Sequence, residues 1–229
     1  MTARDKDFAL WLTEQAALLR ARRLGELAVE NLSAELEALA RRLEREIEDR
    51  LAAILAMQIR NVYDRERRRT DKMKIHRERI TGIVRDSPSL RAQLEDPATL
   101  ASAWTCMRTD HDVDGYDLPA QSPWTLEQVL HGVRPSHVLR RRRDEIVRML
   151  AEGGFRNPRV FGSTARGEDE EGSDLDLLVD ADSTVSLFDL NGIHGELTRA
   201  LGIRVDVVLS TSKFPDRIRA SIMTDAKPI

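Results

Sequence analysis

The stretch from Val160 to Asp180, VFGSTARGEDEEGSDLDLLVD, holds the residues best suited to do chemistry. A short apolar strand runs into Gly162-Ser163, and Asp174 and Asp176 then open a second apolar run. Side chains alternate along a β-strand, so residues two apart share a face. Asp174 and Asp176 therefore point the same way, repel each other and call for a cation between them. Oxygen ligands of this kind suit Mg²⁺. Gly162 lets the backbone approach a phosphate closely. Ser163 offers a hydroxyl and an N–H to the same phosphate, and Arg166 can fork onto its oxygens. A third acid, Asp206, is the only one in the apolar run IRVDVVLS that starts at Ile203. A lone carboxylate in a buried strand is costly unless it meets a charge or a metal. We therefore assign Asp206 to the same cluster, where it can also take the proton of an attacking hydroxyl. The plainer alternative, that Asp174 and Asp176 merely begin a strand after an acidic loop, leaves Asp206 unexplained.

These residues need elements to hold them, and the chain divides by pattern into a helical part and an alternating part. Phe8, Trp11, Leu12, Gln15, Leu18 and Leu19 fall on one helical stripe. A long second helix carries Val29, Leu32, Leu36, Leu39, Leu43, Ile47, Leu51 and Ile54, spaced by three or four, the seam of a helical bundle. A third helix is expected over Met73 to Val84. Ser87-Pro88 and Ser122-Pro123 each read as an N-cap followed by proline at the first helical position, and Pro97 breaks or restarts a helix. From Val138 to Leu150 a further helix stops at Gly153-Gly154. Strands and helices then alternate: Arg159 to Phe161, Leu175 to Val179, a helix near Leu187 to Leu201, Ile203 to Leu209, and a last helix near Pro215 to Met223. The expected class is α+β, a helical bundle over residues 1–132 followed by a mixed sheet flanked by helices over 133–229.

The 229 residues fit one or two domains. A net charge of −3 gives no overall attraction to nucleic acid. The single cysteine, Cys106, excludes an internal disulfide framework and fits a reducing compartment. No signal peptide and no run long enough to span a bilayer is found. The expectation is a soluble, cytoplasmic protein.

Gly162, Ser163, Arg166, Gly167, Ser173, Asp174, Asp176 and Asp206 together resemble the minimal nucleotidyltransferases of the DNA polymerase β superfamily. The likeness covers roughly Val133 to Ile229, and the run VRPSHVLRRRRDEI resembles the usual start of such a domain. It implies three acids on adjacent strands, Mg²⁺ and a nucleoside triphosphate, usually ATP. Members commonly act as antitoxins that add AMP to a tyrosine of a helical ribonuclease toxin, so the resemblance implies a toxin-like protein partner, either the fused helical half or a separate chain. Larger relatives modify antibiotics or RNA ends. Alternative readings are a non-catalytic binding module and a nucleic-acid enzyme, either a helical-domain ribonuclease or a tRNA nucleotidyltransferase. If modification is internal, Tyr63 and Tyr116 are the only tyrosines; Tyr63 adjoins a basic stripe and is the better choice.

The helical half, in the runs FALWLTEQAALLRARRLGELAVENLSAELEAL, RDSPSL and SPWTLEQVL, resembles a bacterial family known only as domain of unknown function twenty-nine. This implies a helical bundle without an assigned activity. Between Arg60 and Arg79 stand nine basic and four acidic residues, a surplus of five (9 − 4). Such a stripe can grip an RNA backbone, and Arg69 with His76 fits the loose Arg-to-His spacing of helical ribonucleases. The plainer reading is a helix face that docks against acids of the other domain, such as Glu168 to Glu171. That acidic run is itself expected to face solvent. His194 and the other histidines show no ligand spacing. Two long amphipathic domains make self-association an expectation, with no symmetry fixed.

Overall fold

The structure is a computed structural model that describes residues 3–64, 70–110, 113, 115–181 and 185–229. It divides into two compact units, Met1–Ile47 and Glu48–Ile229. Among the described residues no helix is long and apolar enough to cross a membrane.

The first unit is helical. α1 spans Ala3–Lys6 and α2 spans Phe8–Arg20. Asp7 caps α2 by accepting the Leu10 N–H at 2.9 Å, one of the donors that a helix start leaves without a partner. A single 3-10 turn, Leu24–Glu26, leads to α3, Val29–Tyr63. Gln15 is buried, and its Oε1 accepts the Ala28 N–H at 2.8 Å, fixing the approach of the chain to α3. The long helix is the one the three-four spacing predicts, and it runs nine residues beyond Ile54.

The second unit joins the rest of α3 to α4 (Thr70–Asp86), α5 (Leu90–Glu95), α6 (Pro97–Asp110), α7 (Leu126–His131) and α8 (Pro135–Glu152), and then to the sheet domain. That domain continues as β1 (Phe155–Phe161), α9 (Gly162–Arg166), β2 (Leu175–Ala181), α10 (Leu187–Leu201), β3 (Val205–Leu209), α11 (Asp216–Asp225) and β4 (Lys227–Pro228). The strand order is β3-β2-β1-β4, with β2 parallel to β3 and antiparallel to β1. A parallel neighbour needs a crossover, and α10 supplies it. Leu175, Leu177, Leu178 and Val179 are all buried, as a central strand covered on both faces requires.

Local signals differ from expectation in three places. β1 begins four residues before Arg159 and passes through a register shift between Arg156 and Arg159, where Asn157 has φ +49°. The extra residue on β1 makes a bulge inside a strand that the sequence pattern starts only at Arg159. α7 is capped not at Ser122 but at Thr125, whose side chain accepts the Gln128 N–H while Gln128 returns the bond. α5 likewise begins after Ser89 rather than Ser87.

Within the second unit the helices and the sheet domain are joined by polar anchors as well as apolar packing. Trp124, 3% exposed, donates its indole N–H to the Gly202 carbonyl at 2.8 Å. A Cβ on Gly202, which has φ +65°, would stand 2.7 Å from that nitrogen, so only glycine admits the approach. Arg77 grips both oxygens of Glu171 at 2.7 and 2.6 Å and also donates to the Val129 carbonyl at 2.8 Å. The docking reading of the basic stripe therefore holds for Arg77, and Glu171 does not face solvent. Neither does Asp169, which is 3% exposed and accepts the Ser136 N–H at the first turn of α8. Arg65, Arg67, Arg68 and Arg69 of the stripe lie outside the described residues.

The Arg77–Glu171 fork yields a measurable consequence. Arg77→Ala is expected to lower stability by about 2–4 kcal/mol, because it strands a part-buried carboxylate. Joint replacement of Arg77 and Glu171 by methionine is expected to cost clearly less than Arg77→Ala alone, read from urea unfolding midpoints.

Candidate functional site

The parallel register of β2 and β3 pairs Asp176 with Asp206, residue against residue, on neighbouring strands. Asp174 lies two residues before Asp176, at the mouth of β2. Gly162, at the turn from β1 into α9, lies over Asp176: a Cβ there would come within 2.5 Å of Asp176 Oδ2. Gly162 has φ +68°, so its missing side chain meets both a conformational and a steric demand. Four of the residues marked in sequence are thus drawn into one neighbourhood by a strand register and a turn.

The electrostatics follow from this packing. Burial, reinforced first by the charge of Asp206 and then by that of Asp174, pushes the Asp176 carboxyl up from 3.8 to about 6; Arg166 acts in the opposite sense. Three acids in mutual repulsion at a part-buried place are a donor set that a divalent cation would neutralise. Gly162 lets the Asp176 carboxylate come up against the turn backbone. Among the described residues, no three His, Cys, Asp or Glu side chains already stand as a closed cage.

Each acid also has a basic side chain near it. Arg204 Nη1 stands 3.4 Å from Asp174 Oδ1. The same guanidinium donates to the carbonyls of Asn61 and Asp64 at 3.0 and 3.1 Å, and its Nε to that of Val62 at 3.3 Å. The last carbonyls of a helix have no partner within it, and Arg204 serves those at the end of α3. His194 Nδ1 lies 3.6 Å from Asp206 Oδ1. Arg166 is paired with Glu168 at 2.7 Å and with Asp225 through its other nitrogen. Those two acids raise its already high affinity for a proton, the Glu168 bond most. To reach a phosphate it must exchange carboxylates for phosphate oxygens, ligands of the same geometry. Ser163 sits in the first turn of α9, half-exposed.

Arg204 and His194 are the residues that the sequence reading missed. For His194 a signal existed: it shares a helical stripe with Leu197, Thr198 and Leu201, which are buried toward the sheet. For Arg204 none existed, since its carbonyl partners lie 140 or more positions away.

A small cavity of about 30 Å³ adjoins the site between Gln58, Met73, Trp124, Ser173 and Arg204. It has room for a water or two and not for a nucleotide, so a nucleotide would lie on the open side of the carboxylates. His76, the ribonuclease candidate, has a buried Nδ1 without a hydrogen-bond partner. Burial, and then the charge of Arg50, hold its imidazole below the usual range. Arg69, its expected companion, lies outside the described residues.

Comparison with known proteins adds the following. Residues 4–132 match the model of the domain of unknown function DUF29, and residues 158–228 match that of the nucleotidyltransferase domain. A protein of Methanocaldococcus jannaschii named as a protein adenylyltransferase is 40% identical over 77 residues, which is 32% of this chain and 83% of that one. Protein adenylyltransferase MntA of Thermococcus cleftensis is 44% identical over 59 residues, 26% of this chain and 60% of its own length. A solved structure of a minimal nucleotidyltransferase shares 39% identity over 41% of this chain and 95% of its own, with a TM-score of 0.38.

The raised Asp176 carboxyl makes a prediction with a fixed sign. Between about pH 3.8 and pH 6 the folded state holds the proton more tightly than the unfolded state, so stability falls as pH rises through that window. Asp176→Asn is therefore expected to stabilise the metal-free protein at pH 7.5 by about 1–2 kcal/mol, after discounting for partial solvent screening. The gain is expected to vanish near pH 3.5. Melting curves at the two pH values, in EDTA, measure it.

Proposed function

Because this chain belongs to the DUF29 family over its N-terminal half and to the nucleotidyltransferase family over its C-terminal domain, we propose that it moves AMP from ATP to a tyrosine hydroxyl of a protein. The helical half serves as the toxin-like or partner-binding module of a toxin–antitoxin type pair. The chain is an enzyme of the adenylyltransferase class; the acceptor, the cation and the role of the helices are this proposal's own content. The observation that carries it is the register neighbourhood of Asp176 and Asp206 beneath Gly162.

In this reading Gly162 and Ser163 cradle the phosphates, and Arg166 leaves Glu168 and Asp225 to fork onto them. Asp174, Asp176 and Asp206 would hold Mg²⁺, which when bound neutralises phosphate charge and stabilises the entering and departing oxygens. The acceptor oxygen bonds to the α-phosphorus, the bond from that phosphorus to the bridging oxygen breaks, and pyrophosphate leaves with its electron pair. The acceptor's proton passes to Asp206. Positioning and charge neutralisation carry most of the rate, as in phosphoryl transfer generally.

The tyrosines of the chain itself are poorly disposed as acceptors. Tyr63 and Tyr116 stack on each other with ring centroids 5.1 Å apart. Burial raises the Tyr63 phenol above its ordinary value, an effect that Arg199 opposes and Asp117 reinforces. A tyrosine on a separate protein therefore fits better than self-modification.

The test is incubation of the full chain, with the proteins that co-purify with it, in ATP labelled at the α-phosphate with Mg²⁺. A labelled tyrosine on a co-purifying protein is expected, lost by about 100-fold or more in Asp206→Asn. Label confined to RNA, or equal labelling by Asp206→Asn, would overturn the assignment. Label on Tyr63 would overturn the choice of a separate acceptor.

A further inference from the structure

The first unit exposes far more apolar surface than its size warrants. Of the ten large apolar side chains that stand exposed among the described residues, seven belong to the first 39 positions. Three of them, Val29, Leu36 and Leu39, are 55%, 61% and 53% exposed and lie on one stripe of α3 together with the half-exposed Leu32 and Leu43. Their spacing of three and four is the seam of a coiled coil, in which each apolar side chain enters a hole on a facing helix. The outer face of the same stretch is polar, and Glu37 and Arg41 on it, one turn apart, pair at 3.5 Å. A helix with a polar solvent face and an open apolar seam lacks a partner, and contiguous exposed apolar surface of this kind marks association.

The residues that flank the seam identify the partner. If two copies of α3 pack antiparallel about an axis between Leu36 and Leu39, Leu36 of one meets Leu39 of the other and Leu32 meets Leu43. On one flank of that arrangement Glu35 then lies across from Arg42, twice by symmetry. On the other flank Ser33 lies across from Ala40, both small enough for the backbones to come close. A parallel arrangement puts Glu35 opposite Ala40 and Arg42 opposite Ile47, and pairs no charges. Flanking charges set orientation and partner choice in helix pairs, and only the antiparallel self-pairing matches them here.

We propose that the exposed Leu32–Leu43 seam of α3 docks against the same seam of a second copy of this chain, antiparallel, with Glu35 facing Arg42 of the second copy. The contact is isologous, since each copy offers the same patch to the other. Its four leucine layers are fewer than a long coiled coil provides, so the association is expected to depend on concentration. The proposal does not depend on the transfer reaction and can be tested whether or not an acceptor is known.

The experiment is sedimentation of the full chain over a wide concentration range. A concentration-dependent dimer is expected for the native protein, and Leu36→Glu is expected to raise the dissociation constant by about 100-fold or more, since a carboxylate would be buried at the axis. Glu35→Arg alone is expected to weaken the dimer by about tenfold through like-charge opposition. Combining it with Arg42→Glu is expected to restore the native constant. A monomer at every concentration, or a dimer indifferent to Leu36→Glu, would overturn the proposal. So would failure of the charge exchange to restore association while the far-ultraviolet circular dichroism stays native.

Discussion

Two carboxylates set side by side by a parallel strand pair govern the rest of this structure. Asp176 and Asp206 are register partners, and the register cannot slip by one residue without turning every buried side chain of β2 and β3 to the wrong face. Leu175, Leu177, Val179, Val205 and Val207, all buried, therefore lock the acids together through hydrophobic packing that has nothing to do with their chemistry. Burial, and after it the repulsion from Asp206 and Asp174, raises the Asp176 carboxyl. A protein holds such a pair only where the surrounding core over-determines the geometry.

The helical segments of the second unit bear on this pair through the loop that precedes it. The connection from α9 to β2 carries Asp169 and Glu171, one bonded to the start of α8 and the other gripped by Arg77 of α4. Both are held by partners on helices, so the loop between the Ser163 turn and the carboxylates is anchored from outside the sheet. Trp124 against Gly202 does the same for the approach to β3. The sheet places the acids, and the helices fix the loops around them.

The legible part of this molecule is the part whose signals are local. A period of two placed Asp174 and Asp176 on one face, a lone acid among valines marked Asp206, and α10 spans the Leu187–Leu201 stretch expected of it. The turn glycine at 162 was readable as a close-approach position, though the atom it avoids, on Asp176, was not. What escaped depends on contacts distant in sequence. The acidic run at 168–171 looks solvated by composition, and Glu168 and Glu170 are exposed; only the placement of Ser136 and Arg77 buries Asp169 and covers Glu171. The first residues of β1 carry no strand pattern, and only pairing with β2 shows that the strand begins at Phe155 and bulges before Arg159. Arg204 looks like a strand-edge cation; its role as a cap for α3 needs the tertiary fold.

Arg204 has one positive charge and two claimants. One is the set of carbonyls that end α3, and the other is Asp174. A cation drawn to Asp174 releases that carboxylate's hold on the guanidinium and leaves it wholly to the helix end. Fraying of the helix end, conversely, frees the guanidinium to neutralise the acid more fully. Site occupancy and helix order are thus conjugate variables, each shifting the other by the same free energy. The arginine works as a balance beam between the end of α3 and the acid at the mouth of β2.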